Sequence, residues 1–309
     1  MDTKFFGRHQ PGGIFSIVDR ELFPTGSIWW VGSEEAAASD AAGYGVNPDA
    51  PFATLAYAIA AAAAGDTIFL MPNHNEDIGN AQIDVDLEGL KIIGLGVGTD
   101  RPRFDYEHAN ASINVAASNV DIRNIRLLPS ITTVLIGIDV EAASTDCHLI
   151  DIDVMPGEDG ANADEFATAI EFKAGCDRGL VRGLNARTQA ADASARGILL
   201  KGASDGITIE DCVMRGVWTT ACIEADTTLS TNLLIRNCIL QPLDTEPGIA
   251  VITLTEGIVA NCYIATDLAT KAAAIEGVGG AHALYLFENY YCEVVTESGG
   301  LIGTASADD

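Results

Sequence analysis

The stretch Ile207-Thr-Ile-Glu-Asp-Cys-Val-Met214 recurs along the whole chain with one pattern of apolar positions. Its counterparts are LKIIGLGV (90–97), VDIRNIRL (120–127), CHLIDIDV (147–154), GLVRGLNA (179–186), LLIRNCIL (233–240), GIVANCYI (257–264) and YLFENYYC (285–292). Apolar residues alternate with variable ones, and the fifth position is always Gly, Asn or Asp. That position is filled by Gly94, Asn124, Asp151, Gly183, Asp211, Asn237, Asn261 and Asn289, at steps of 30, 27, 32, 28, 26, 24 and 28 residues. Alternation over four or five residues describes a short strand with one face inward. Gly, Asn and Asp are the residues that enter the left-handed backbone conformation at least steric cost. Each copy is therefore expected to be a strand that ends in a tight bend.

A second series keeps step with the first. Ile113, Ile138, Ile170, Ile198, Ile223, Val251 and Ile275 each precede the next anchor by 10 to 14 residues. A period with at least two short strands cannot bury its apolar face alone. Stacking successive periods pairs each strand with its copy one turn on, about 4.8 Å away. The expected architecture is an all-β coiled rod. Cys212, Cys238 and Cys262 occupy one slot of the repeat, directly after the anchor, while Cys147 and Cys292 occupy other apolar slots. The seven cysteines show no zinc-ligand spacing, so an interior column of reduced thiols is expected.

Composition narrows the function. The 309 residues hold 44 Asp plus Glu against 17 Lys plus Arg, a formal net charge of −27. So acidic a chain is a poor match for phosphate backbones or anionic membranes, and no nucleic-acid or membrane partner is expected. Apolar runs reach about ten residues, short of the roughly 20 a spanning helix needs. Met1 to Pro11 lacks a basic segment followed by an apolar one, which predicts cytoplasmic synthesis.

Residues 47–73 read as the start of the rod. Phe52, Leu55, Ile59 and Ala62 or Ala63 share a helical face, the alanine run favours helix, and Gly65 suits its end. Here the sequence resembles a known family. Pro51-Phe-Ala-Thr-Leu, Ala58-Ile, Ala64-Gly-Asp-Thr-Ile, then Pro72 and Glu76, then Leu90-Lys-Ile-Ile-Gly-Leu-Gly resemble the opening of right-handed parallel β-helix proteins of the pectate-lyase-like superfamily. The run AGYGVNPDAPFATLAYAIAAA is similar to β-helix proteins of tailed bacteriophages and prophages. The resemblance spans about residues 27–292. It implies a single-stranded right-handed parallel β-helix with an N-terminal amphipathic cap helix. It implies no single activity, since this fold carries lyases, hydrolases, tailspikes and inert rods.

The expected organisation is an attachment arm (1–48), a cap helix (49–66), a β-helix of about eight or nine coils (67–292) and a C-terminal tail (293–309). Residues 1–30 balance Lys4, Arg8 and Arg20 against Asp2, Asp19 and Glu21, and carry Phe5, Phe6, Phe15, Phe23, Trp29 and Trp30. That neutral aromatic segment reads as an assembly interface, or as a strip that folds back on the rod.

Of the signatures that the resemblance implies for enzymes of this fold, neither the galacturonase set nor a Trp-Ile-Asp-His motif occurs. The acid–base candidates are Asp139 and Glu171, each directly after an inward Ile on adjacent turns, with Glu224 in the same slot further on. Two carboxyls about 5 Å apart suit a retaining glycosidase. The plainer expectation is a solvated acidic stripe, because Glu276 shares the slot as well. Glu158, Asp159, Asp164 and Glu165 lie in the longest step and could chelate calcium, though a solvated acidic loop is the plainer expectation. No cofactor is expected. The function expected is a non-enzymatic bacteriophage virion protein, a homotrimeric capsid decoration bound to the major capsid protein through residues 1–30. The alternative is a tailspike-type protein that binds or degrades polysaccharide.

Overall fold

The computed structural model describes residues 26–157, 164–189, 194–226, 230–243, 246–251, 255–266, 274–277 and 283–293. Among them the chain winds as a right-handed β-solenoid of three parallel sheets. A typical coil contributes a strand to each sheet in turn: Thr67–Leu70 to the first, Asn75–Ile78 to the second and Ile83–Val85 to the third. Every pairing between named strands is parallel and joins one coil to the next. The third sheet, the smallest, holds eight strands.

Inward side chains stack in columns. Ile92, Ile122, Leu149, Val181, Ile209, Ile235 and Val259 fall in register along the first sheet, all between 0% and 1% exposed. At about 25 cal/mol per Å² of apolar area removed from water, these columns supply the main driving force for folding. The upstream series forms the third-sheet column Ile113, Ile138, Ile170, Ile198, Ile223, Ile249 and Ile275. The sequence pattern had placed Val251 there. Val251 instead pairs with Ala225 and Gly277, two residues along, where its side chain is also inward.

The bends between first and second sheets follow the chemistry of the anchors. Asn124, Asp151, Gly183, Asp211, Asn237 and Asn261 all have φ between 53° and 70°. Each donates its backbone N–H to the coil that follows, as Asn124 does to the Ile150 carbonyl at 2.9 Å. Asn124 Nδ2 also caps the Gly94 and Gly96 carbonyls, at 2.8 and 2.9 Å. Two anchors depart from the rule. Gly94 is extended, because the chain there leaves the coil through a 3₁₀ turn at Gly98–Asp100. In the last coil Glu288 takes the left-handed conformation (φ 49°), and the adjacent Asn289 bonds to Val259 and Cys262.

The α-helix among the described residues, α1 (Leu55–Ala61), is shorter than the 49–66 expected. Thr54 caps it by accepting from Tyr57 N–H at 3.3 Å, and its buried face is Leu55, Ala58 and Ile59. Glu76 explains part of the opening motif. Its Oε2 accepts the Leu55 N–H at 2.7 Å and lies 3.1 Å from His74 Nε2. His74 Nδ1 accepts from Ser33 N–H, so the proton of this imidazole sits on Nε2, facing Glu76. Asp66 collects the N–H groups of Ser27, Ala63 and the Trp29 indole, at 2.6, 2.9 and 2.9 Å.

Cys147, Cys176, Cys212, Cys222, Cys238 and Cys262 are free and buried. Cys212, Cys238 and Cys262 follow one another on successive coils, each with its thiol directed at the carbonyl two residues earlier.

Candidate functional site

The third-sheet slot that follows the inward Ile reads, coil by coil, Asp84, Asn114, Asp139, Glu171, Leu199, Glu224, Ala250 and Glu276. Asp139 and Glu171 are register partners, as their spacing predicted. Glu224 stands two coils beyond Glu171, with Leu199 between them. The expectation of a solvated stripe is wrong for these three acids. Asp139 is 4% exposed, Glu171 3% and Glu224 1%.

Cations explain how carboxylates tolerate that burial. Lys173 Nζ reaches Asp139 Oδ2 at 2.8 Å and Glu141 Oε1 at 2.7 Å. Lys201 Nζ lies 3.2 Å from Glu171 Oε1, and Arg196 Nε bonds Glu224 Oε2. Each contact crosses from one coil to its neighbour. Long alkyl stems of Lys and Arg cover apolar and carboxylate surface while their heads remain partly wet. Burial pushes the Asp139 carboxyl above the usual carboxylate range, opposed by hydrogen bonding and attraction from Lys173. Burial lowers Lys173, but its bonds to Asp139 and Glu141 outweigh this and leave its pKa raised. Lys173 is therefore a held cation rather than a base at neutral pH.

Asn114 Oδ1 and Asp139 Oδ1, on adjacent coils, are buried without a hydrogen-bond partner. Glu171 Oε1, on the next coil, is likewise buried without a hydrogen-bond partner. The ammonium groups of Lys173 and Lys201 already supply positive charge there, so a metal ion would have to displace them. No cluster of three His, Cys, Asp or Glu side chains suited to a metal occurs among the described residues.

The other candidates separate in space. Glu158 and Asp159 lie outside the described residues. Glu165 is committed to the fold, accepting Gln189 N–H and the Ser194 hydroxyl at 3.1 Å each. Asp164 packs against Gly157, to whose N–H its carbonyl is bonded at 3.1 Å. Phe5, Phe6, Phe15 and Phe23 also lie outside the described residues. Trp29 and Trp30 belong to the strand Ile28–Val31, which pairs in parallel with Thr67–Leu70 as an added rung of the first sheet. Trp29 stacks on Phe52 at 5.8 Å and Trp30 packs against Phe69 at 5.1 Å.

Sequence reasoning missed a second charged feature. Arg101, Arg103 and Arg126 converge with Asn75 and Thr99 on a cleft of about 320 Å³ beside the second sheet. Arg103 and Arg126 are register partners, 23 residues apart in sequence and adjacent across the coil.

Comparison with known proteins supports the fold and goes no further. No protein-family description matches the chain, and no curated protein matches it in sequence. Among solved structures, the pectate lyase Pel9A superimposes with a TM-score of 0.60 over 92% of this chain and 74% of its own, at 11% identity. A rhamnogalacturonan lyase superimposes with a TM-score of 0.50 over 80% of this chain and 75% of its own, at 10% identity. The chain thus has the parallel β-helix architecture that these polysaccharide lyases also use.

Proposed function

We propose that this chain is a non-enzymatic β-helical rod of a tailed-bacteriophage virion, a homotrimeric capsid decoration protein held to the major capsid protein by its N-terminal segment. The observation that carries the non-enzymatic part is the pairing on the third sheet. Asp139 and Glu224 hydrogen-bond to a cation on a neighbouring coil, and Glu171 forms an ion pair with one. Groups arranged this way brace one rung against the next. A reacting acid or nucleophile needs an open side toward substrate. The virion assignment draws its support from the resemblance of residues 42–76 and from the net charge of −27, which keeps displayed rods apart in solution. Tyr285, Phe287 and Tyr290 near the C-terminal end are 64%, 54% and 67% exposed, an apolar surface of the kind found at interfaces.

The test is particle association. Residues 1–25 precede the added rung Ile28–Val31, so a chain truncated there keeps every described residue. The truncated chain should fold and fail to join particles that the full chain joins. Equal incorporation of both would refute the anchoring role, and absence of the full chain from purified particles would refute the virion role.

A second reading has one observation in its favour. Asp139, with its raised pKa and one unpartnered oxygen, faces Glu171 across adjacent coils. A glycoside hydrolase needs two neighbouring carboxyl groups of this kind, and both structural neighbours are named as enzymes that degrade polysaccharide by a different reaction, elimination. Release of unsaturated or reducing ends from polygalacturonate or bacterial capsular polysaccharide, abolished by Glu171→Gln, would establish this reading over the first.

A further inference from the structure

We propose that the arginine cleft beside the second sheet binds an oxyanion, the carboxylate, sulfate or phosphate group of a small or chain-borne ligand. The inference is independent of the virion reading. It rests on charge, on an unmet hydrogen-bond donor and on preorganisation.

The charge is anomalous for this molecule. Three of the 17 Lys and Arg residues of a −27 chain line one cleft of about 320 Å³. Asp105 and Asp153 pair with them. Arg103 Nη2 pairs with Asp105 Oδ2 at 2.9 Å. Asp153 serves the other two: Oδ2 accepts Arg126 Nε at 2.9 Å and stands 4.0 Å from Arg101 Nη1. Asp153 Oδ1 is already taken by Asn185 Nδ2 at 2.7 Å. Arg101 is the last claimant on an over-subscribed carboxylate. The remaining acid on the cleft, Glu34, is exposed on its rim.

Arg101 Nε is buried and has no hydrogen-bond partner. A buried donor left unmet is costly, and a guanidinium edge is matched in shape by a two-oxygen acceptor. Its neighbours are fixed in place. Arg126 Nη2 donates to the Gly98 carbonyl at 3.0 Å, and Arg103 Nε to Asn75 Oδ1 at 3.3 Å. Holding these side chains before the ligand arrives spares much of their ordering cost on binding. His74 lines the cleft but is committed to Ser33 and Glu76, so the arginines, with Asn75 and Thr99, remain to recognise the anion.

The test is calorimetric titration of the full chain at low ionic strength with sodium sulfate, sodium phosphate, D-galacturonate and, as neutral control, D-galactose. Saturable binding of at least one anion is expected, with none for galactose. Arg101→Gln should weaken it tenfold or more, and Arg178→Gln, which alters an exposed pair with Asp146, should leave it unchanged. Galacturonate bound in preference to the inorganic ions would mark a saccharide as the source, and the reverse order a free inorganic anion. Amide shifts at Thr99, Arg101 and Arg103 on titrating the unmutated chain provide a readout that needs no variant. Failure of all three anions to saturate, affinity unchanged in Arg101→Gln, or shifts confined to other residues would overturn the proposal.

Discussion

Lys173 Nζ sits 2.8 Å from Asp139 Oδ2 on the preceding coil. The bond ties two rungs through their side chains, alongside the backbone ladder that already joins them, and it neutralises an acid that burial would otherwise disfavour. Glu171 with Lys201 and Glu224 with Arg196 repeat the device along the same face. Removing one partner should cost more than a surface ion pair. Lys173→Met is expected to lower unfolding free energy by about 1–3 kcal/mol, and Lys173→Arg by less. Urea titration of the three proteins measures this. Equal stability of all three would show that the pair braces nothing.

The raised pKa of Asp139 gives stability a definite pH dependence. The folded protein holds this proton more tightly than the unfolded chain does. The contribution is fully present below the unfolded value of 3.8 and is lost as pH rises through the folded value. Asp139→Asn removes the titration. The stability of the variant relative to the unmutated protein should therefore improve from about pH 3 toward neutrality. Urea midpoints across that range test it. A constant difference would contradict it.

Asn124 tests the bends. It holds φ at 56° and bonds two carbonyls of the neighbouring coil. Asn124→Gly keeps the conformation and loses the bonds, at about 1–2 kcal/mol. Asn124→Ala loses both, adding about 1–2 kcal/mol for a left-handed alanine. The ordering Asn, Gly, Ala in urea midpoints is the prediction. Alanine matching glycine would mean that the turn conformation carries no strain there.

The buried thiols should be inert. Burial raises Cys176 to about 11, and bonding to neighbouring thiols together with burial pushes Cys238 and Cys262 higher still. At about pH 8 the thiolate that attacks a disulfide reagent is scarce in all three. Native protein should leave the six buried cysteines, Cys147, Cys176, Cys212, Cys222, Cys238 and Cys262, unmodified over the time in which urea-unfolded protein loses all seven thiols. Rapid modification of Cys212, Cys238 or Cys262 in the native state would contradict an interior column.

Much of the coil was legible in the sequence because its period imposes visible constraints. A left-handed bend selects Asn, Asp or Gly, and an inward column selects Ile, Leu or Val. The Val251 for Ile249 slip arose where both residues of one strand point inward, so apolarity alone could not choose between them. Burial of Asp139, Glu171 and Glu224 was illegible. It depends on lysine and arginine stems from neighbouring coils, and the strand pattern places only the backbone of those residues. Arg101, Arg103 and Arg126 went unread because an outward column carries no hydrophobic signal. It emerges only once the register of each coil is known.

The most direct test is a crystal structure of the chain. The account predicts Ile113, Ile138, Ile170, Ile198, Ile223 and Ile249 stacked at about 4.8 Å per coil, with Asp139 and Glu171 side by side and closed by Lys173 and Lys201. Those isoleucines scattered over different levels, or the two acids open to solvent without their lysines, would contradict it.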